Sequence, residues 1–253
     1  MGLPPIKGFL ETSFIDWPGQ VAAVVFLPGC NFRCPYCHNH GLVLHPEEYQ
    51  SWSLEGILLH LDKYRSWVDG VCVSGGEPTG HAGLPELLRQ LRAAGWATKL
   101  DTNGSRPEVL RLLLDEGLLD AVALDLKAPL EAIPYRRNSG WNGDPQRVAE
   151  SLELALAAGL SLQVRTTVHP NLLGLAELER LAADLGERVR WQRGAGGEGV
   201  RFTVQRCRVE EVLDNSLPGQ PGLDVEAFAA WQEQAMTAYR LGNQETGKRT
   251  PDF

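Results

Sequence analysis

The sequence predicts an α/β fold, a single partial (β/α)6 barrel of parallel strands. Six short apolar runs alternate with six longer segments of helical period, so neighbouring strands run parallel with right-handed crossovers. Polar motifs follow the C-terminal ends of most of these runs. A doubly wound open sheet would instead gather them at one switch point. The 253 residues are enough to bury one such core.

The first strand, residues 21–27 (VAAVVFL), is a continuous apolar run of the kind buried on both faces. In residues 53–67, Leu54, Ile57, Leu58, Leu61 and Tyr64 recur at helical spacing, and Ser53 with Glu55 marks the helix start. Residues 71–73 form a second strand, and residues 85–94 a helix with Pro85 in its first turn. A strand at 97–101 leads into a helix at 107–116 that Gly117 stops. A strand at 121–126 and a helix at 145–158, ended by Gly159, follow. A strand at 162–168, a helix at 176–185, a strand at 200–205 and a helix at 225–239 close the series. Residues 1–240 read as one domain and residues 241–253 as a polar tail, with a mobile loop at 194–199 (GAGGEG).

Hydrophobic residues at 43% and charged residues at 22% are ordinary globular usage. A net charge of -8 and a pI near 5.3 oppose a broad nucleic-acid or anionic-membrane surface, so neither partner is expected. No run approaches the roughly 18–20 apolar residues of a membrane span, and residues 1–7 lack the pattern of a secretory signal. A cytoplasmic location is expected. Five cysteines, three of them within residues 30–37, favour metal or redox use over a disulfide framework.

Residues 29–40 read GCNFRCPYCHNH. Thiolates of Cys30, Cys34 and Cys37 on one loop can converge on a single inorganic centre, and a cubane cluster wants one thiolate per iron. Three cysteines leave the fourth iron open, which favours reactivity. The alternative is a zinc site of three cysteines and one histidine, with His40 or His45 as fourth ligand because His38 adjoins Cys37. After the second strand, Ser74-Gly75-Gly76-Glu77-Pro78-Thr79 pairs glycines, which permit close ligand approach, with a carboxylate suited to an ammonium group. Its bland alternative is a turn with a solvated glutamate. Asp101-Thr102-Asn103-Gly104 and Asp125-Leu126-Lys127 end the third and fourth strands, as turn and ion-pair signals if nothing more. Arg165 sits within an apolar strand, where a charge needs either an ion pair or an anionic ligand. His169 reads as a surface or loop histidine, and Cys72 and Cys207 as packing residues.

The spacing Cys-x3-Cys-x2-Cys with Tyr36 before the last cysteine resembles the signature of the radical S-adenosylmethionine (SAM) superfamily. The resemblance implies a full or partial α/β barrel with this loop after the first strand. It implies a [4Fe-4S] cluster on Cys30, Cys34 and Cys37 whose open iron is chelated by SAM. Reductive cleavage then yields methionine and a 5′-deoxyadenosyl radical. Gly75, Gly76, Glu77 and Pro78 match the motif that holds the methionine amino group, and Tyr36, Asp101, Asn103, Lys127 and Arg165 are expected near the cofactor.

The two aspartate motifs resemble the glycyl-radical-enzyme activating branch. There Asp101, Thr102, Asp125 and the Leu126 carbonyl would match ligands of a monovalent cation beside the methionine carboxylate. Residues 8–19 (GFLETSFIDWPG), otherwise a hairpin turning at Pro18-Gly19, are similar to the entry segment of these activases. Residues 7–39 look most like the anaerobic ribonucleoside-triphosphate reductase activating proteins. The branch implies a glycyl-radical protein as substrate and an electron donor such as flavodoxin or ferredoxin. No second cysteine cluster is present, which excludes the extended activases with ferredoxin-like inserts, and the fifth strand lacks the superfamily's usual glycine pattern. Two other readings stand beside this one. The first is a radical enzyme acting on a small molecule, similar to 7-carboxy-7-deazaguanine synthase. The second is a non-catalytic metal-binding interaction protein.

Overall fold

The structure, a computed structural model, describes residues 2–193 and 199–244. One seven-stranded sheet runs in sequence order: β1 (Gly8–Ser13), β2 (Ala22–Leu27), β3 (Gly70–Gly75), β4 (Ala97–Thr102), β5 (Ala121–Asp125), β6 (Ser161–Val168) and β7 (Val200–Arg206). Strands β2 to β7 are parallel throughout and are the six expected from sequence. The seventh strand is β1, an arm of the hairpin expected to turn at Pro18-Gly19; it pairs antiparallel with β2 through a turn at Trp17–Gln20, where Gly19 has φ +86°. No ladder joins β1 to β7 among the described residues, so the barrel is partial and laterally open.

The helices are α1 (His40–Leu44), α2 (Leu54–Leu61), α3 (Leu84–Ala93), α4 (Pro107–Asp115), α5 (Ala132–Ser139), α6 (Gln146–Ala157), α7 (Leu175–Arg193) and α8 (Val225–Gly242). Apolar spacing explains how they pack. In α3, Leu84, Leu87, Leu88 and Leu91 recur at i, i+3, i+4 and i+7 and are all fully buried. In α7, Leu178, Leu181, Ala182, Leu185 and Val189 do the same. Strand β2 is buried on both faces, as its unbroken apolar run requires.

Two helices run longer than expected. Helix α7 continues eight residues past Leu185, to Arg193. Helix α8 continues to Gly242 and Asn243 is buried, so the chain stays packed beyond residue 240. That packing is close: a Cβ on Gly186 would strike the Tyr239 carbonyl, and one on Gly242 the Ala183 carbonyl. The expected loop at 194–199 lies outside the described residues except for Gly199, as does the tail from residue 245. Helices α1 and α5 were not foreseen. No described helix is long and apolar enough to cross a membrane.

Candidate functional site

Twelve of the sequence-predicted residues line one cavity of about 520 Å³ at the C-terminal ends of the parallel strands. They are Cys30, Cys34, Tyr36, Cys37, Gly75, Gly76, Asp101, Thr102, Asn103, Asp125, Lys127 and Arg165. Glu77, Pro78 and Leu126 do not line it. They are buried behind it, at 2% exposure for Glu77 and for Leu126.

The cysteine loop leaves β2 and is held from three sides. Phe32 packs on Trp141 with ring centroids 5.0 Å apart and edge-on to Tyr135 at 6.3 Å. Arg33 N donates to the Ser139 carbonyl at 2.8 Å, and its guanidinium donates to the Cys30 carbonyl at 2.6 Å. From the β4 side, Asn103 Nδ2 donates to Asn31 Oδ1 at 3.0 Å and approaches Cys30 Sγ at 3.8 Å, while Asn31 Nδ2 donates to Ser105 Oγ at 2.8 Å. From the β3 side, Asn39 Nδ2 donates to the Gly75 carbonyl at 2.9 Å. Asn31, Asn39 and the α5 residues were not singled out from sequence. The only signal for the asparagines was their place inside the cysteine loop.

All three thiols are free, and burial pushes each one up, Cys30 to about 12 and Cys34 to about 11. Glu77 adds to the rise at Cys30, while Lys127 opposes it at Cys34. Metal binding must therefore displace firmly held protons. Three thiolates, one for each of three irons, suit the donor set to an iron–sulfur cluster with one open iron. Tyr36, whose buried hydroxyl has no hydrogen-bond partner among the described residues, stands in the same cavity with the Lys127 ammonium 5.7 Å from its ring centroid.

The glycines serve chain packing more than ligand approach. Gly75 has φ +122°, and a Cβ there would strike the Leu27 backbone. A Cβ on Gly76 would strike the Gly29 carbonyl. The Gly-Gly step thus docks the β3 loop on the entry to the cysteine loop, fixed by Gly76 N to Leu27 O and Glu77 N to Gly29 O, each 2.8 Å. Glu77 turns inward rather than to solvent. Its Oε1 accepts from Thr79 N (3.0 Å), Thr79 Oγ1 (2.5 Å) and Thr102 Oγ1 (2.7 Å), and its Oε2 from Asn103 N (2.7 Å).

A charge network floors the cavity. Arg165 faces Asp125 across the β5–β6 register. Its Nε donates to Asp125 Oδ1 at 2.8 Å and its Nη1 to Asp101 Oδ2 at 3.0 Å. Lys127 Nζ donates to Asp125 Oδ2 at 3.1 Å, and Lys99 pairs with Asp101 from one step down the same strand face. Burial opposes ionisation of both aspartates, but Arg165 first and then Lys99 (for Asp101) or Lys127 (for Asp125) outweigh it. Both carboxyls are held below the usual range. Arg165 thus satisfies both sequence readings, since it is ion-paired and also lines the cavity.

Two readings gain detail here. His169 lies on the loop after β6 but is 1% exposed, its Nδ1 accepting from Asn171 N at 3.4 Å. Cys72 is more than filler, because its thiol lies 3.3 Å from Asp101 Oδ1. Ile15, Asp16, Thr167 and Gln205 also line the cavity. Gln205 lies on the last parallel strand, a position that could have flagged it.

A family model described as the radical SAM superfamily matches residues 24–185. The chain is 31% identical over 180 residues to a Methanocaldococcus jannaschii protein provisionally named as a glycyl-radical enzyme activating enzyme, covering 70% of this chain and 73% of that one. It is 30% identical over 174 residues to the GTP 3′,8-cyclase of Rhizobium meliloti, covering 66% and 46% of the two chains. Streptococcus suis SuiB bound to S-adenosylmethionine superposes over 83% of this chain and 47% of its own, with a TM-score of 0.59 at 15% identity. That likeness is one of fold, and the chain spans less than half the length of the cyclase and of SuiB. By the family match across its barrel and by the cysteine loop above it, the chain belongs to the radical SAM superfamily.

Proposed function

We propose that this radical SAM enzyme installs a glycyl radical on a partner protein, with anaerobic ribonucleoside-triphosphate reductase the expected partner. The observation that supports this most is the shape of the site. The cavity is lined from the β1–β2 loop by Ile15 and Asp16 and from the far edge by Thr167 and Gln205, and the sheet is not closed between those edges. A cleft open along one side suits an inserted polypeptide loop better than a sealed pocket does. The named relative at 31% identity agrees with this reading.

Cys30, Cys34 and Cys37 would hold the [4Fe-4S] cluster, with SAM lying over Asp101, Asn103, Lys127 and Arg165. When bound, the pair supplies one-electron cleavage of a sulfonium and a carbon radical able to take hydrogen. The chain's own residues do the rest. Phe32 and Arg33 fix the cluster loop, and Tyr36 and the partnered aspartates wall the cavity. The cations at its floor receive a carboxylate by charge-assisted hydrogen bonds. An electron donor such as flavodoxin or ferredoxin and a cytoplasmic setting complete the proposal.

The test is incubation of the reduced, reconstituted enzyme and SAM with the anaerobic reductase subunit from the same source. A glycyl doublet in the electron paramagnetic resonance spectrum, dependent on both proteins, is the expected result. If instead a small metabolite stimulates turnover and no glycyl-radical protein develops the signal, the substrate is a small molecule. The GTP 3′,8-cyclase relative makes a nucleotide the first metabolite to try.

A further inference from the structure

The activase resemblance implies a monovalent cation on Asp101, Thr102, Asp125 and the Leu126 carbonyl. The side-chain oxygens of that set do not fit one. Asp101 Oδ1 is met by the Lys99 ammonium and the Cys72 thiol, and Oδ2 by Arg165 at 3.0 Å and the Ser74 hydroxyl at 3.3 Å. Asp125 gives one oxygen to Arg165 and the other to Lys127. The Thr102 hydroxyl donates to Glu77 and accepts from Gly104 N at 3.1 Å. No side-chain oxygen of the set lacks a protein donor.

We propose that the Lys99 ammonium stands in place of that cation, as a counter-charge tethered to β4 that frees cofactor binding from dependence on potassium or sodium. Lys99 and Asp101 are two apart on one strand and share a face. The Lys99 side chain is 1% exposed, and its partners are Asp101 and, at 3.7 Å, Cys72 Sγ. An ammonium sealed from water must keep its anion, so an ion entering at Asp101 would strand it.

Charge balance points the same way. At the cavity floor Lys99, Arg165 and Lys127 face Asp101 and Asp125, three cations against two carboxylates, leaving one positive charge there. That surplus suits one carboxylate of an amino-acid ligand, and a further ion would double it. Asp16 lines the cavity from the β1–β2 loop, with the Ser13 hydroxyl as its partner. Lys127 and Arg165 line the cavity, whereas Lys99 does not. It acts through Asp101 and is a positioning residue. The proposal rests on the superfamily assignment, while the identity of the partner protein does not enter either readout below.

The cluster-reconstituted protein is titrated anaerobically with SAM in potassium, sodium or choline chloride at equal ionic strength. Wild type should bind within about twofold in all three, since matched salts screen alike. Lys99→Met should bind about tenfold or more weakly in choline, the loss of a charge-assisted contact, and recover in potassium or sodium. Thermal melts of the same samples without SAM should show potassium raising the midpoint of Lys99→Met alone. A wild type that needs potassium overturns the proposal, and so does a Lys99→Met that is indifferent to every salt. If Lys99→Met does not fold, the wild-type series and Lys99→Arg decide. Lys99→Arg keeps the charge and should stay indifferent to the salt, and a potassium requirement in it overturns the proposal.

Discussion

Four hydrogen bonds converge on the Glu77 carboxylate inside the protein, from Thr79 N, Thr79 Oγ1, Thr102 Oγ1 and Asn103 N. Burial pushes its carboxyl up, and these donors pull the other way, Thr79 most and then Asn103. Glu77 therefore ties the β3 loop to the β4 loop that carries Asn103. The consequence for mutagenesis is specific. Glu77→Ala should lower stability by roughly 2–3 kcal/mol because it leaves buried donors unpaired, and the loss is measured as a lower melting midpoint. Weaker SAM binding would accompany it as a result of loop displacement. A Glu77→Ala protein with an unchanged midpoint would return the residue to the role of a free ligand. The Gly-Gly-Glu-Pro run was legible as a site marker, but the direction in which Glu77 faces was not. Its partners Thr102 and Asn103 lie 25 and 26 residues away and meet it only through sheet register.

At the scale of elements, legibility followed burial. Strands β2, β3 and β5 are sealed on both sides or nearly so and read as near-continuous apolar runs. Strand β4 is as buried but carries Thr98, Lys99 and Asp101, and β6 and β7 alternate buried with half-exposed or exposed positions. Strand β1 is a largely exposed edge whose mixed Gly8–Ser13 stretch carries no such apolar run, and the turn at Pro18-Gly19 was its signal as a hairpin arm. Helix α5 was hidden for a different reason. It reads AIPYRRNS, with Pro134 near its start and a buried face made of Tyr135, Asn138 and Ser139. The polar members of that face spend their hydrogen bonds locally, Asn138 on the Pro134 and Leu172 carbonyls and Ser139 on the Tyr135 carbonyl. This unforeseen helix and the turn after it form the wall on which Phe32 rests. Trp141→Ala, at a half-buried position, should cost at most about 3 kcal/mol and leave the chain folded. It should also loosen the cysteine loop, so that a chelator strips iron several-fold faster than from wild type. Equal rates of iron loss would show that the aromatic wall does not steady the cluster loop.

At the scale of the whole molecule, the open sheet would fix where the proposed protein substrate approaches. Phe14 and Ile15 are consecutive, 75% and 84% exposed, and sit on the β1–β2 loop beside the cavity mouth. A single exposed apolar residue is ordinary, but two together at the rim of a buried charged site are where the proposed partner protein would make contact. Phe14 does not line the cavity, whereas Ile15 does, so Phe14 separates docking from chemistry. Partner binding at such an interface draws on a few aromatic anchors, each costing upwards of about 1 kcal/mol when truncated. Phe14→Ser should therefore slow glycyl-radical formation on the partner protein by about fivefold or more at subsaturating partner. Uncoupled reductive cleavage of SAM, followed as 5′-deoxyadenosine release in the absence of partner, should stay at the wild-type rate. The effect should fade as partner concentration rises, because only the encounter is weakened. Equal slowing of both reactions would mean that the loop shapes the cavity and does not dock a partner. An unchanged rate on the partner would place the docking surface elsewhere along the open edge, towards Gln205 and β7.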